Sequence, residues 1–367
     1  MKVIQILPEL NAGGVERGTL EIADALVANG DESLVISNGG RLVPALEAAG
    51  STHITMPVHR KSLATLAQVR PLRKLLEKEK PDIIHIRSRV PGWVTWLAWC
   101  KMNPATRPRL VSTVHGFYST NFYSTIMTRG ERVIAVSNSI RDYILKHYPK
   151  TDASIIRMIY RGISLDQLQR DYQPPAGWLK QWHADHPNLA GKITLLLPGR
   201  ITRLKGHKDL FRLIAALKQD GLQVHGLIAG DTHPKKREYL DELKQLITSL
   251  GIDREITFLG HRSDIREVMA ASNIVCALSQ QPESFGRTVL EAMALGKPVI
   301  GYDCGGVGEL LKELFPDGRV PLGDAESLLA TTRSVIENQM TPSDIGDRFS
   351  LQAMCQETLD VYRELAH

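Results

Sequence analysis

Short apolar runs alternate with helical runs along almost the whole chain, and this alternation narrows the accessible folds more than any other feature. Residues 3–7, 33–36, 52–56, 83–86 and 109–113 read as buried-type strands. Residues 15–28, 42–49, 63–79 and 93–102 read as helices between them. The alternation continues through 132–136, 137–147 and 155–159. It resumes after residue 192 with strands 193–197, 224–229, 256–259, 274–278 and 298–302, and with helices 207–217, 235–250 and 288–295. Strand–helix–strand repetition implies mostly parallel α/β sheets, which bind ligands at the carboxyl ends of their strands. At 367 residues the chain is too long for one typical domain and suits two Rossmann-sized lobes.

Charge is unevenly distributed between those lobes. Residues 1–168 hold 22 Lys and Arg against 14 Asp and Glu (+8), whereas the remainder holds 23 against 26 (−3). A basic first half suits an anionic partner, such as a phosphorylated or lipid-linked molecule or a membrane surface. Nucleic acid is not expected, because zinc spacings and RNA-binding signatures are absent. Cys100, Cys276, Cys304 and Cys355 are widely spaced without a CxxC pair, and read as reduced residues. The chain opens on a strand, and no apolar run approaches bilayer-spanning length. The expectation is a cytoplasmic protein, with peripheral contact to the inner face of the cytoplasmic membrane as the variant that the basic half suggests.

Several residues stand where such sheets bind ligands. Strand 274–278 leads into Pro282-Glu283-Ser284-Phe285-Gly286-Arg287-Thr288-Val289-Leu290-Glu291-Ala292, a turn that opens a helix. The amides from Gly286 onward form that helix's positive end, and glycine lets a ligand approach closely. Glu283 precedes the turn and Glu291 lies one helical turn inside the helix, so both carboxylates reach one ligand at different distances from the amides. A nucleotide sugar fits this spacing, with sugar hydroxyls at one carboxylate, ribose at the other and diphosphate between. Arg200 and Lys205, in the loop after strand 193–197, suit a diphosphate whose charge grows as a bond breaks. Gly13-Gly14 suits a phosphate cradle or close helix–strand packing. Arg87 and Arg89 follow strand 83–86 and serve either anion recognition or a structural ion pair. His115-Gly116 follows strand 109–113, a position that favours ligand contact. The basic run 60–78 is amphipathic, either resting on anionic lipid or forming the solvated face of a surface helix.

Glu283-x-Phe285-Gly286-x4-Glu291-Ala292, joined to Gly199-Arg200-x4-Lys205-Gly206, resembles the donor site of retaining glycosyltransferases of family 4. The resemblance runs from Gly13-Gly14 to Gly308-Glu309 and implies the GT-B fold, two Rossmann-like domains facing a central cleft. The implied domains are an acceptor domain at 1–170, a hinge at 171–190, a nucleotide-sugar domain at 191–347 and a helix at 348–367 that crosses back to the first domain. It implies transfer of a sugar from a UDP- or GDP-sugar to a glycan or glycolipid with no metal or other cofactor, and the basic first half makes an anionic acceptor of the lipopolysaccharide type the expectation. No Asp-x-Asp is present to bridge a metal to a diphosphate. By the resemblance, Arg200 and Lys205 clamp the leaving diphosphate, Glu283 holds sugar hydroxyls, and Glu291 holds the ribose. Phe285, Gly286, Arg287 and Thr288 line the donor. The backbone at His261-Arg262 contacts the base, Gly13 and Gly14 lie near the diphosphate, and His115 hydrogen-bonds the transferred sugar. Glu16, Arg17, Arg87 and Arg89 are the acceptor candidates. Tyr160-Arg161-Gly162-Ile163-Ser164 stands in place of the family's Asn-Gly-Ile-Asp, agreeing at Gly162 and Ile163. A sugar-nucleotide epimerase of the same fold and a catalytically inactive nucleotide-sugar-binding relative are the alternatives.

Overall fold

The computed structural model describes residues 1–11, 13–231 and 237–366. Its contacts divide the chain into two units, Met1–Gly162 with Arg348–His367, and Ile163–Asp347.

The first unit is built on seven parallel strands: β1 (Lys2–Ile6), β2 (Glu32–Ser37), β3 (Thr52–Thr55), β4 (Ile83–Ile86), β5 (Arg109–Val114), β6 (Arg132–Ala135) and β7 (Ile156–Met158). Their order across the sheet is β3-β2-β1-β4-β5-β6-β7, so the direction of winding reverses between β1 and β4. Helices α1 (Gly14–Ala28), α2 (Val43–Ala48), α3 (Leu63–Ala67), α4 (Val69–Glu79), α5 (Arg89–Trp99) and α6 (Asn138–His147) connect them. Val3, Ile4, Ile6, Ile83, Ile84 and Ile86 are fully buried. A parallel strand covered on both faces needs this unbroken apolar run rather than alternation. The expected helix over 63–79 is two helices, with the break at Gln68. Pro71 explains the placement, since its missing N–H is tolerated in the first turn of α4 but not inside one long helix. Ser137 caps α6, accepting from the Ile140 amide at 3.1 Å.

The second unit carries six parallel strands: β8 (Ile193–Pro198), β9 (Val224–Ala229), β10 (Ile256–Gly260), β11 (Ile274–Ala277), β12 (Val299–Tyr302) and β13 (Arg319–Val320). The order is β10-β9-β8-β11-β12-β13, which places the reversal between β8 and β11. Its helices are α7 (Ala176–Asp185), α8 (His207–Gln219), α9 (Arg237–Ser249), α10 (Ile265–Ala271), α11 (Arg287–Ala294), α12 (Gly305–Leu314) and α13 (Ala325–Glu337). Lys235 and Lys236, expected to begin α9, lie outside the described residues. The glycine-rich string 305–309 forms the start of α12. Residues 163–170 were expected in the first domain and 171–190 as a hinge, but the whole segment lies with the second unit. Tyr172 Oη donates to Glu267 at 2.7 Å, Trp178 Nε1 to Asp264 at 2.7 Å, and Arg170 to the Pro342 carbonyl at 2.6 Å. Asp264 precedes α10 with the composition of a cap, but Trp178 and Arg262 engage its carboxylate and it makes no side-chain cap there.

The final helix, α14 (Leu351–Ala366), returns to the first unit, where Met354, Leu359, Val361 and Tyr362 join the core around Val3, Ile22 and Ile83. Tyr362 Oη lies 2.6 Å from Nδ1 of the fully buried His85. Glu364 binds Arg132 and Arg157 at 2.6 and 2.5 Å, and their hydrogen bonds pull its carboxyl down to about 2.

Candidate active site

The reversal between β8 and β11 leaves a crevice at the carboxyl ends of those strands, the place where open α/β sheets hold ligands. Residues 199–206 leave β8 and residues 278–286 leave β11, so topology alone brings both motif loops there. Gly286 is the cap of α11 with φ of 92°, a left-handed conformation open to glycine at no steric cost. It turns the chain so that the first amides of α11 point out of the helix end.

Gly305 and Gly306 fix the Glu283 loop from beneath. The Gly306 amide donates to the Glu283 carbonyl at 2.7 Å, and Glu283 and Gly305 form an isolated parallel bridge. A Cβ on Gly306 would sit 2.4 Å from Phe285 Cα, against backbone that has no flexible side-chain end to move aside. Gly306→Ala should therefore displace the loop. The expected cost is about 1–3 kcal/mol of stability and on the order of 10²-fold in activity. Urea unfolding together with steady-state kinetics would check both, and unchanged kinetics would show that the loop position is immaterial.

Lys205 Nζ donates to Glu283 Oε1 at 2.6 Å, and Ser279 Oγ donates to the same oxygen. Burial pushes the Glu283 carboxyl up, but the Lys205 charge and the two hydrogen bonds outweigh it and hold the group below the usual range. Glu283 is thus an anion in a fixed orientation. Thr288, Pro198, Lys205, Ser279 and Glu283 share one small hollow. Thr288 and Pro198 also border a second cavity of about 410 Å³, lined further by Arg200, Asp231, His261, Arg262 and Glu291.

Arg200 is exposed and forms no ion pair with a carboxylate among the described residues. Glu291 accepts from Arg287 Nε at 3.3 Å one turn earlier on α11. Arg262 makes two bonds to Asp264, at 2.8 and 2.5 Å, leaving His261 exposed on the cavity wall. The Phe285 ring is 3% exposed, so it packs in the core and is not positioned to stack on a ligand. Asp231 was not anticipated as a site residue; its position two residues beyond β9 was the available signal.

The other expected residues belong to the first unit. Glu16 stands in the first turn of α1, its carboxylate folded against Gly13. Burial raises its affinity for a proton, the negative Glu9 adds to this, and Arg87 opposes it. Arg17 is exposed and pairs with Glu21 at 3.3 Å. Arg161 lies over Gly18, donates to the Gly14 carbonyl at 3.2 Å and approaches Glu21 at 3.5 Å. That residue therefore braces the start of α1. Arg87 is buried, donates to Gln5 Oε1 at 2.9 Å, and has Nε and Nη2 without hydrogen-bond partners. Arg89 opens α5, donating to Ser124 at 3.1 Å and packing over the Tyr118 and Tyr123 rings. His115 follows β5, and its buried Nε2 has no hydrogen-bond partner. Burial, reinforced by the charges of Arg87 and Arg161, pushes its pKa well below the ordinary value, so the imidazole is neutral near pH 7.

Among the described residues, no group of three or more His, Cys, Asp or Glu side chains is placed to hold a metal ion. No helix among them is long and apolar enough to cross a membrane.

Residues 12–167 match the family model described as Glycosyltransferase Family 4, and residues 180–349 the one described as Glycosyl transferases group 1. A glycosyltransferase from Rickettsia africae superposes with a TM-score of 0.85 at 28% identity, over 99% of this chain and 98% of that one. Anabaena Alr3699/HepE in complex with UDP and glucose superposes at 0.81 and 23% identity, over 99% and 100%. Among curated sequences, the N-acetyl-alpha-D-glucosaminyl L-malate synthase of Bacillus anthracis is 23% identical over 94% of this chain and 90% of its own length.

Proposed function

The chain belongs to glycosyltransferase family 4 and has two parallel-sheet α/β domains of the GT-B type, and from that footing we propose that it is a retaining enzyme using a nucleoside-diphosphate sugar. The convergence of Arg200, Lys205, Thr288, Glu283 and Glu291 around the end of β8 and the start of α11 carries this reading. The UDP-and-glucose complex of the Anabaena protein supports a UDP-sugar as donor.

In this reading the nucleotide lies in the 410 Å³ cavity, its ribose at Glu291 and its base beside His261 and Arg262. Arg200, Lys205 and the first α11 amides stabilise the diphosphate as the C1–oxygen bond breaks and its electron pair passes to the phosphate oxygen. The acceptor hydroxyl attacks C1 from the same face, and the departing phosphate takes its proton. No side chain serves as covalent nucleophile and no metal is required. Glu283 holds sugar hydroxyls, helped by backbone groups of Phe285, Gly286 and Arg287. His115 takes the hydrogen bond to the transferred sugar that the resemblance implies. Glu16, Arg17, Arg87 and Arg89 serve the acceptor. Gly13 and Gly14 are assigned to the diphosphate. The basic first half supports an anionic acceptor, and we place the reaction on a cell-envelope glycan or glycolipid at the cytoplasmic side of the membrane.

Proton NMR of the sugar released or transferred from an α-linked donor, in the presence of chelator, tests this. An α product is expected; a β product as the first species formed would contradict retention.

A further inference from the structure

A second concavity lies in the first unit, and none of its lining residues is one assigned to the donor. Its volume is about 520 Å³, and its wall includes Leu63, Leu66, Val90, Trp93, Phe122 and Tyr123. Leu63 is 84% exposed, Leu66 50% and Phe122 70%, which makes this hollow the meeting point of half the large exposed apolar side chains among the described residues. Single exposed leucines are ordinary, but several converging on one hollow mark a binding surface.

The rim of this hollow is cationic. Arg60 and Lys61 border it, and Lys61 Nζ stands 3.7 Å from the Tyr123 ring centre. Arg89 rests over the same ring, and Arg129 lies 5.3 Å from the Trp93 ring centre and 5.5 Å from that of Phe122. None of these four cations pairs with a carboxylate among the described residues, whereas Arg109, Arg132 and Arg157 of the same unit all do. A cation held over an aromatic face keeps its full charge for an incoming anion. The hollow also adjoins the carboxyl end of the sheet, because α5, which supplies Val90 and Trp93, begins at Arg89 directly after β4. A hydrocarbon wall beneath an unneutralised basic rim complements a molecule with an apolar chain and an anionic head. The volume lies in the range of small-molecule sites.

We propose that this hollow seats the hydrocarbon chain of an anionic lipid-linked acceptor, whose phosphate or carboxylate is held by Arg60, Lys61 and Arg89. This rests on the glycosyltransferase reading and names the acceptor's class.

The test uses lysophosphatidylglycerol carrying a brominated chain, kept below its micellar concentration, with quenching of tryptophan fluorescence as readout. Trp93 on the wall reports the chain. Saturable quenching is expected. It should weaken at least tenfold for an uncharged monoacylglycerol of the same chain, and again in the Leu63→Glu/Leu66→Glu variant. Both positions are exposed, so that variant should retain its fold, as checked by an unchanged melting temperature. Equal quenching in wild type and variant would overturn the proposal. So would binding only to vesicles containing phosphatidylglycerol, which would assign the patch to a bilayer surface. Donor binding, followed by thermal shift on the same samples, separates the two readings. It should survive Leu63→Glu/Leu66→Glu and be lost in Glu291→Ala, while chain binding does the reverse.

Discussion

Replacing Lys205 with alanine should lower the rate of sugar transfer by about 10²–10³-fold while the fold persists. The side chain is about one-third exposed and lies in a loop, so little packing is lost with it. Two distinct contributions disappear together. One is the positive charge beside the first amides of α11, needed most when the diphosphate gains charge. The other is the 2.6 Å bond that orients Glu283. Without Lys205, Glu283 keeps its bond from Ser279 but loses the charge that offsets its burial, so its carboxyl should titrate nearer neutrality. The variant should therefore show a fall in kcat and an activity that declines at a higher pH than in wild type. A change of less than fivefold in kcat, with an unaltered pH profile, would remove Lys205 from the reaction.

Acid should destabilise the protein steeply between pH 6.5 and pH 4. His207 and His225 are fully buried, and burial pushes each down to about 4 from an ordinary 6.5. Lys205 adds to the effect at His207, and Lys192 at His225. Between these two pH values the unfolded chain binds protons that the native chain does not, so stability rises with pH and is lost as pH falls. At 1.36 kcal/mol per pKa unit, each histidine contributes about 3 kcal/mol of loss by pH 4. His85 and His115 are shifted in the same direction, first by burial and then by Arg87 and Arg161, so both units are affected. Urea unfolding midpoints measured from pH 7.5 to pH 4.5 should fall continuously, and His225→Gln should flatten the slope. Midpoints independent of pH across that range would contradict the account.

Much of the fold was legible because buried parallel strands carry a local signature. The run 224–229 was read with the same limits that β9 has, and the pair Ser137-Asn138 before an apolar helix signals a cap, which Ser137 supplies. What local pattern does not encode is the partner. Arg161 departs from the family string, and only the folded chain shows it lying over Gly18 and reaching the Gly14 carbonyl. Asp264 had the composition of a cap, but Arg262 and Trp178 take its carboxylate instead. The segment 171–190 has the proline and glycine content of a hinge, yet its tyrosine and tryptophan find acidic partners on α10 or just before it. The candidate site divides along the same line. Glu283, Glu291, Arg200 and Lys205 were visible because strand ends and glycine turns mark ligand positions. Asp231 and Ser279 were missed because neither stands in a motif; a place just beyond a strand end was their local signal, and the winding of the sheet brings them to the cavities.

The central claim is that the second unit binds a nucleoside-diphosphate sugar between the end of β8 and the start of α11. Thermal unfolding with UDP-, GDP- and ADP-sugars in the presence of chelator tests it most directly, comparing wild type with Glu291→Ala. At a ligand concentration of about 100 times its dissociation constant, the stabilisation is about 2.7 kcal/mol, well within reach of the measurement. The account predicts a raised melting temperature with one nucleotide class, abolished in Glu291→Ala. No shift with any nucleotide sugar, or a shift that survives the loss of Glu291, would contradict it.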